Sequence, residues 1–183
     1  MPMGGNHRNL TDENGRKQGL WKSYSRDGVL IQEVNYQNDI KHGACVRYHP
    51  NLGHTLEEIE YYNGRKDGPT KKYYTSGELR SEGYYKNGKR IEKWLYYYKV
   101  NGEKKAEGSF LNGRRDGEWI YYNSKGIIVL KGTYRNGYKE GVWEFNDNEG
   151  KLLYTKNFVK DVEVDESKPK PAVNNQKKTG KSK

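Results

Sequence analysis

Few residues have types and spacings that could do chemistry. Cys45, His49 and His54, with His42 close by, carry donor atoms suited to a metal ion. Their spacing is neither that of paired cysteines nor that of two histidines one turn apart on a helix, the arrangements that pre-position ligands. When the chain is aligned on its internal period, Asp67, Asp116 and Glu140 stand where His42 stands, and position 45 falls in a row of tryptophans. These are repeat positions whose identity drifted, and no metal or other cofactor is expected. Gly180-Lys181-Ser182 imitates the end of a phosphate-binding loop, yet it lacks the upstream glycine, preceding strand and following helix. The carboxylates form no isolated cluster with a base and a nucleophile. A protein one sheet thick also excludes water poorly, which works against the pKa shifts that catalysis needs. Catalysis and a small-molecule substrate are therefore not expected.

What remains is aromatic. The chain has 17 Tyr and 4 Trp, whereas its hydrophobic fraction is only 32%. Rings with a polar edge suit thin, half-wet sheets better than one large interior. The rings must be held by a repeating element, because an Asn-Gly-type turn recurs at Asn14-Gly15, Asn38-Asp39, Asn63-Gly64, Asn87-Gly88, Asn112-Gly113 and Asn136-Gly137. Four residues after each turn stands Gly19, Gly43, Gly68, Glu92, Gly117 or Gly141. Two residues later come Trp21, Cys45, Thr70, Trp94, Trp119 and Trp143, then Tyr24, Tyr48, Tyr73, Tyr97, Tyr122 and Asn146. Tyr36, Tyr61, Tyr85, Phe110, Tyr134 and Phe158 close the copies. Each unit of 24 to 25 residues holds two short β-favouring runs and two turns. The fold expected is all-β: an elongated, open antiparallel sheet of six tandem hairpin copies over residues 14–159.

The sequence also predicts a register. If Asn87 to Arg90 form a four-residue loop, Gly83 faces Trp94, and the same offset sets Gly108 against Trp119 and Gly132 against Trp143. Where the first partner is large, Val34 or Ile59, the second is small, Cys45 or Thr70. An indole lying across the strand over a bare glycine produces this reciprocity.

The runs Tyr62-Asn63-Gly64-Arg65-Lys66-Asp67-Gly68 and Asn112-Gly113-Arg114-Arg115-Asp116-Gly117-Glu118-Trp119 resemble the MORN repeat, in the bacterial variant of YwqK-family antitoxin-like proteins. The resemblance covers about residues 14–159 and departs from the pattern at Asp39, Cys45, Thr70 and Glu92. It implies a sheet of hairpins used for protein contacts or, in some eukaryotic members, for contact with lipid.

Two positions beyond each Trp row member, the chain has Ser23, Arg47 and Lys72 in its first half but Tyr96, Tyr121 and Phe145 in its second. Trp94, Tyr96, Trp119, Tyr121, Trp143 and Phe145 are thus the candidate binding residues, as an exposed aromatic strip. The net charge of +10 favours anionic partners. Residues 1–13 read as a short leading segment and 160–183 as a disordered Lys-rich tail, a basic arm able to touch anionic lipid or nucleic acid. No stretch has the length and apolarity of a transmembrane span. As it stands the sequence points to the cytoplasm, or to an exported location if a signal peptide was trimmed. The function expected is a non-catalytic scaffold for a protein partner, an adaptor or accessory subunit of a larger bacterial assembly. The alternatives are a peripheral binder of anionic lipid or nucleic acid, and an antitoxin that masks a toxin.

Overall fold

A computed structural model describes residues 9–165. They form one antiparallel sheet of 14 strands in strict sequence order; the sequence predicts the open antiparallel sheet and the twelve strands of its six copies, and one short strand is added at each end. The strands are β1 Leu10–Thr11, β2 Lys17–Tyr24, β3 Leu30–Gln37, β4 Ile40–Tyr48, β5 Thr55–Tyr62, β6 Arg65–Tyr73 and β7 Leu79–Lys86. They continue as β8 Lys89–Tyr97, β9 Lys104–Leu111, β10 Arg114–Tyr122, β11 Ile128–Arg135, β12 Tyr138–Asn146, β13 Leu152–Val159 and β14 Val162–Val164. At ~4.8 Å between strands the sheet runs about 60 Å.

The turn chemistry differs from the four-residue loop read in the sequence. Lys86 pairs with Lys89, so Asn87 and Gly88 alone make the turn. Both have positive φ, 48° and 79°, as the two central residues of a tight hairpin turn of the strand-matching hand require. The register then slips: Tyr85 faces Arg90, but Glu82 faces Leu95, so β8 takes up two extra residues. Glu92, at φ 56°, sits in this bulge, where the other copies place a glycine. A short loop and a bulge thus replace the expected longer loop, and the two corrections cancel. Trp119 faces Gly108 and Trp94 faces it from the other side.

A Cβ at Gly83, Gly108 or Gly132 would lie 2.2 to 2.4 Å from Cδ2 of Trp94, Trp119 or Trp143 respectively. Each indole therefore lies flat on the glycine of the preceding strand, and its Nε1 donates to the carbonyl one residue further on: Tyr84, Ser109 or Thr133, at 3.1 to 3.3 Å. Trp119 and Trp143 are fully buried. Burying a ring of this size stabilises by on the order of 4 kcal/mol before entropy is counted. Around the three indoles pack Phe110, Tyr134 and Phe158. The first half carries a thinner cluster of Val34, Cys45 and Ile59 on the same rows.

On the opposite face a second ladder repeats. Tyr48, Tyr73, Tyr97 and Tyr122 donate their hydroxyls to Glu33, Glu58, Glu82 and Glu107 at 2.5 to 2.9 Å. In the next hairpin both partners change together, to Lys131 and Asn146, and Lys131 pairs with Glu144 instead. Glu107 also receives Lys93 and Lys104. Burial alone would raise its carboxyl, but these cations and Tyr122 override burial and hold it near pKa about 2.

The domain limits widen at both ends. Leu10–Thr11 pair with β2, and Val162–Val164 pair with β13 across a turn at Lys160-Asp161 whose φ values, 49° and 69°, repeat those of Asn38-Asp39. This is a seventh turn, 24 residues after Asn136. The first residues of the expected tail, Lys160 to Val164, therefore belong to the sheet and its last turn. The tail beyond Asp165, with the basic arm and Gly180-Lys181-Ser182, lies outside the described residues.

Candidate binding face

The face that carries the tryptophans is uncovered by any second layer among the described residues, so whatever is not buried by neighbouring side chains is open to a partner. Trp94 (2% exposed), Trp119 (1%) and Trp143 (0%) are not part of such a surface. This corrects the expected exposed strip, because the glycine opposite each indole lets the ring sink into the sheet and pack edge-on against Phe110 or Tyr134. The other three candidates stay half-buried. Tyr96 lies between Trp94 and Trp119 at ring distances of 6.3 and 6.0 Å, and Tyr121 lies 6.1 Å from Trp119. Phe145 stacks on Tyr154 at 4.8 Å. The structure thus brings all six candidates into one cluster and divides them into three foundations and three surface residues.

Cations cover this face, and sequence reading missed them. Five of the six closing aromatics face a basic residue just past the turn, Tyr36 with Lys41, Tyr61 with Lys66, Tyr85 with Arg90, Phe110 with Arg115 and Tyr134 with Lys139, whereas Phe158 faces Glu163. The charged groups then lean over the next rings. The Arg90 guanidinium sits 4.0 Å from the Phe110 centroid, and that of Arg115 sits 4.6 Å from Trp119. Lys139 Nζ lies 4.8 Å from Trp143. Each such contact contributes ~0.5–1 kcal/mol where solvent reaches it. The signal was available: a Lys or Arg stands two residues before every bulge position.

Tyr96 and Tyr121 line a cleft of about 430 Å³ in the middle of the sheet. Its other walls include Lys72, Arg80, Arg90, Lys105 and Arg115, and no Asp or Glu contributes to them. Burial pushes the Tyr96 phenol up, against the pull of Arg90 and Arg115. Burial and a hydrogen bond with Tyr134 push Tyr121 up as well. Both therefore present neutral hydroxyls, and the cleft keeps its positive charge. Arg115 Nη1 donates to Tyr134 Oη at 2.9 Å and contacts Tyr121 Oη at 3.4 Å, which ties the guanidinium to the tyrosines of the floor.

Of the residues first weighed for metal chemistry, His49 and His54 lie together, with ring centroids 5.3 Å apart. The Cys45 thiol is buried in the Trp row and accepts from Gln32 Nε2 at 3.8 Å. His42 tilts against Tyr62, and His54 Nε2 lies 2.6 Å from the Thr75 carbonyl. Among the described residues no three His, Cys, Asp or Glu side chains are grouped to share a metal ion.

No curated protein matches the chain. Among solved structures it is similar to part of "TarM" (9% identity, TM-score 0.34, 54% of this chain, 19% of that one). It is also similar to part of the "Glycosylation Associate Protein (Gap123) complex from Streptococcus agalactiae" (18% identity, TM-score 0.35, 57% and 19%). A third likeness is to alternansucrase in complex with isomaltononaose (14% identity, TM-score 0.16, 77% and 15%). The chain spans about a fifth or less of the length of these structures. The repeat itself is more telling. The hairpin copies at residues 17–38, 66–87, 115–136 and 139–160 match the MORN repeat variant, while the copies with Cys45 and Glu92 stand outside those stretches.

Proposed function

We propose that this chain is a non-catalytic repeat scaffold that binds a protein partner on its tryptophan face, as an adaptor or accessory subunit of a larger bacterial assembly. The observation that carries this reading is the row Tyr96, Tyr121 and Phe145. The earlier hairpins place Ser23, Arg47 and Lys72 in the same row and form the same strand pairs, so the fold does not require rings there. Half-buried aromatics on an uncovered face are the residues that anchor interfaces, and a row of repeats offers them as one extended surface. Masking of a toxin by such a surface would be a special case of the same activity.

A second reading, a peripheral binder of anionic lipid or nucleic acid, is favoured by the net charge of +10. Salt separates the two, since attachment to a polyanion weakens steeply as salt rises. The test is affinity purification with mass spectrometry at low and at raised salt. It would compare wild type, a Tyr96→Ser/Tyr121→Lys variant, and a chain lacking residues 166–183. The scaffold reading expects loss of the partner in the tyrosine variant at both salt levels and near-normal recovery without the tail. Loss on removing the tail, with the tyrosine variant behaving as wild type, overturns it in favour of the second reading.

A further inference from the structure

The cations of the central cleft form two lines, and the lines have different origins. One is the row beyond the turns, present in every hairpin, to which Arg90 and Arg115 belong. The other comes from the second bulge of each hairpin, where the register slips by one residue and a single side chain is left over. That residue is aliphatic in the outer hairpins, Ile31, Leu56, Val129 and Leu153, and basic only in the central two, Arg80 and Lys105. Only in the middle of the sheet, therefore, does a floor of Tyr96 and Tyr121 run between two basic rims. Among the described residues no carboxylate lies within ion-pair distance of Arg80, Arg90, Lys105 or Arg115. The charge is uncompensated, in contrast to Glu57 in the first half, which Arg47, Lys66 and Lys72 surround.

We propose that this groove takes an acidic segment of a protein partner in the polyproline II conformation, with carboxylates at every third residue. The proposal rests on the scaffold reading above and names the chemistry of the partner. Successive cations in each line are two strands apart, which is ~9.6 Å at ~4.8 Å per strand. A polyproline II chain advances ~9.3 Å in three residues and returns its side chain to the same face. An α-helix needs seven residues and ~10.5 Å to do the same, and an extended strand repeats its face every ~6.7 Å. The mismatch per step is therefore ~0.3 Å for polyproline II against ~0.9 Å for a helix. The sheet also twists by ~20–25° per strand, and a conformation without internal hydrogen bonds follows a turning line more easily than a rigid rod. Prolines between the acidic residues would lie on the tyrosine floor, as proline-rich segments do in aromatic-lined grooves.

The test titrates the full chain with a labelled peptide of repeated Glu-Pro-Pro triplets, read by fluorescence anisotropy. The comparison ligands are a peptide of the same composition with its glutamates clustered at one end, and an oligothymidylate. The triplet peptide should bind about tenfold more tightly than the clustered one, and an Arg90→Gln/Arg115→Gln variant should lose about tenfold, since both cations anchor the register. Arg80→Gln removes a cation that touches no ring, so it should weaken binding severalfold while leaving thermal unfolding unchanged. Equal binding of the clustered peptide or the oligothymidylate would show simple polyanion attraction and overturn the proposal. Wild-type affinity in both arginine variants would overturn it as well. Partner recovery from cell extract separates the two levels of inference. A protein retained equally by wild type and by the Arg90→Gln/Arg115→Gln variant removes this groove assignment while the scaffold reading stands.

Discussion

Gly83→Val places a Cβ 2.4 Å from Cδ2 and 2.5 Å from Cε2 of Trp94, where ordinary carbon contacts need ~3.5–4.0 Å. The indole must retreat by about 1 Å or more. It has little room to do so, because Tyr85 and Phe110 hold it at ring distances of 5.3 and 5.8 Å and its Nε1 is committed to the Tyr84 carbonyl. Overpacking of this kind costs ~2–3 kcal/mol. Gly83 does not have positive φ, so the cost is the ring's and not the backbone's. Trp94→Thr empties a buried site and costs about 3 kcal/mol, the lower end for a large aromatic truncation because threonine keeps a methyl group. Together, however, the two changes set valine against threonine and so imitate the Ile59 and Thr70 pair, in which both residues are buried and Thr70 Oγ1 donates to the Glu58 carbonyl at 2.9 Å. The Glu82 carbonyl occupies the equivalent place. The double variant should therefore lose about 3 kcal/mol, short of the summed single losses by ~2 kcal/mol. Urea unfolding of the four proteins, followed by circular dichroism, measures the coupling. A double-variant loss within ~0.5 kcal/mol of the sum would refute the packing account.

Glu92 has φ 56° in a bulge that holds glycine in the other copies, so Glu92→Gly should raise stability by ~0.5–1 kcal/mol, read as a higher urea midpoint; no change would show the residue unstrained. Glu107 has its native pKa depressed to about 2. Its contribution is thus complete above the unfolded value near ~4.3 and is lost as pH falls from there toward 2. Glu107→Gln should remove on the order of 1–2 kcal/mol at neutral pH and flatten that part of the acid unfolding curve. Tyr48, Tyr73 and Tyr122 have pKa values raised to about 12 by burial and their glutamates. The stabilisation they give is present below their ordinary pKa, near ~10, and is lost as pH rises through 12. Tyr122→Phe should leave the phenolate absorbance at pH 11 unchanged, and a drop there would contradict the buried Tyr–Glu ladder.

The sheet was legible because its turn, glycine and ring rows each obey one period, and the facing of Gly108 and Trp119 was legible because their sizes vary in opposition. The turn was misread because a two-residue turn plus a two-residue bulge gives the same distal offset as a four-residue loop. Only the isolated Glu92 and its glycine counterparts, all at positive φ, reveal the difference. The aromatic strip was found but its depth was not. Exposure depends on whether the opposing residue has a side chain, and Gly83, Gly108 and Gly132 have none, so the indoles opposite them sink out of reach of solvent. Two ladders went unseen for one reason: their partners come from different strands. Tyr and Glu fifteen residues apart are paired across a hairpin, as are Tyr85 and Arg90 across a turn. The joint change to Lys131 and Asn146 was the trace they left in the sequence. The seventh turn escaped because Lys160-Asp161 has lost both Asn and Gly.

The place of Cys45 in the tryptophan row gives the molecule an internal clock. Its thiol is buried, and burial raises its pKa above the ordinary value, so a thiol reagent reaches the sulfur only after the strands around Val34 and Ile59 separate. That aliphatic stretch has only the half-buried indole of Trp21 at its edge, against the three buried indoles that fasten the other half, and a one-dimensional stack of repeats can open where its local ties are weakest. The labelling rate of the single cysteine therefore reports the opening of the N-terminal half alone. With Trp21, which faces Val34 in the first half, replaced by phenylalanine, comparing it with loss of the tryptophan signal from Trp94, Trp119 and Trp143 would time the two halves separately.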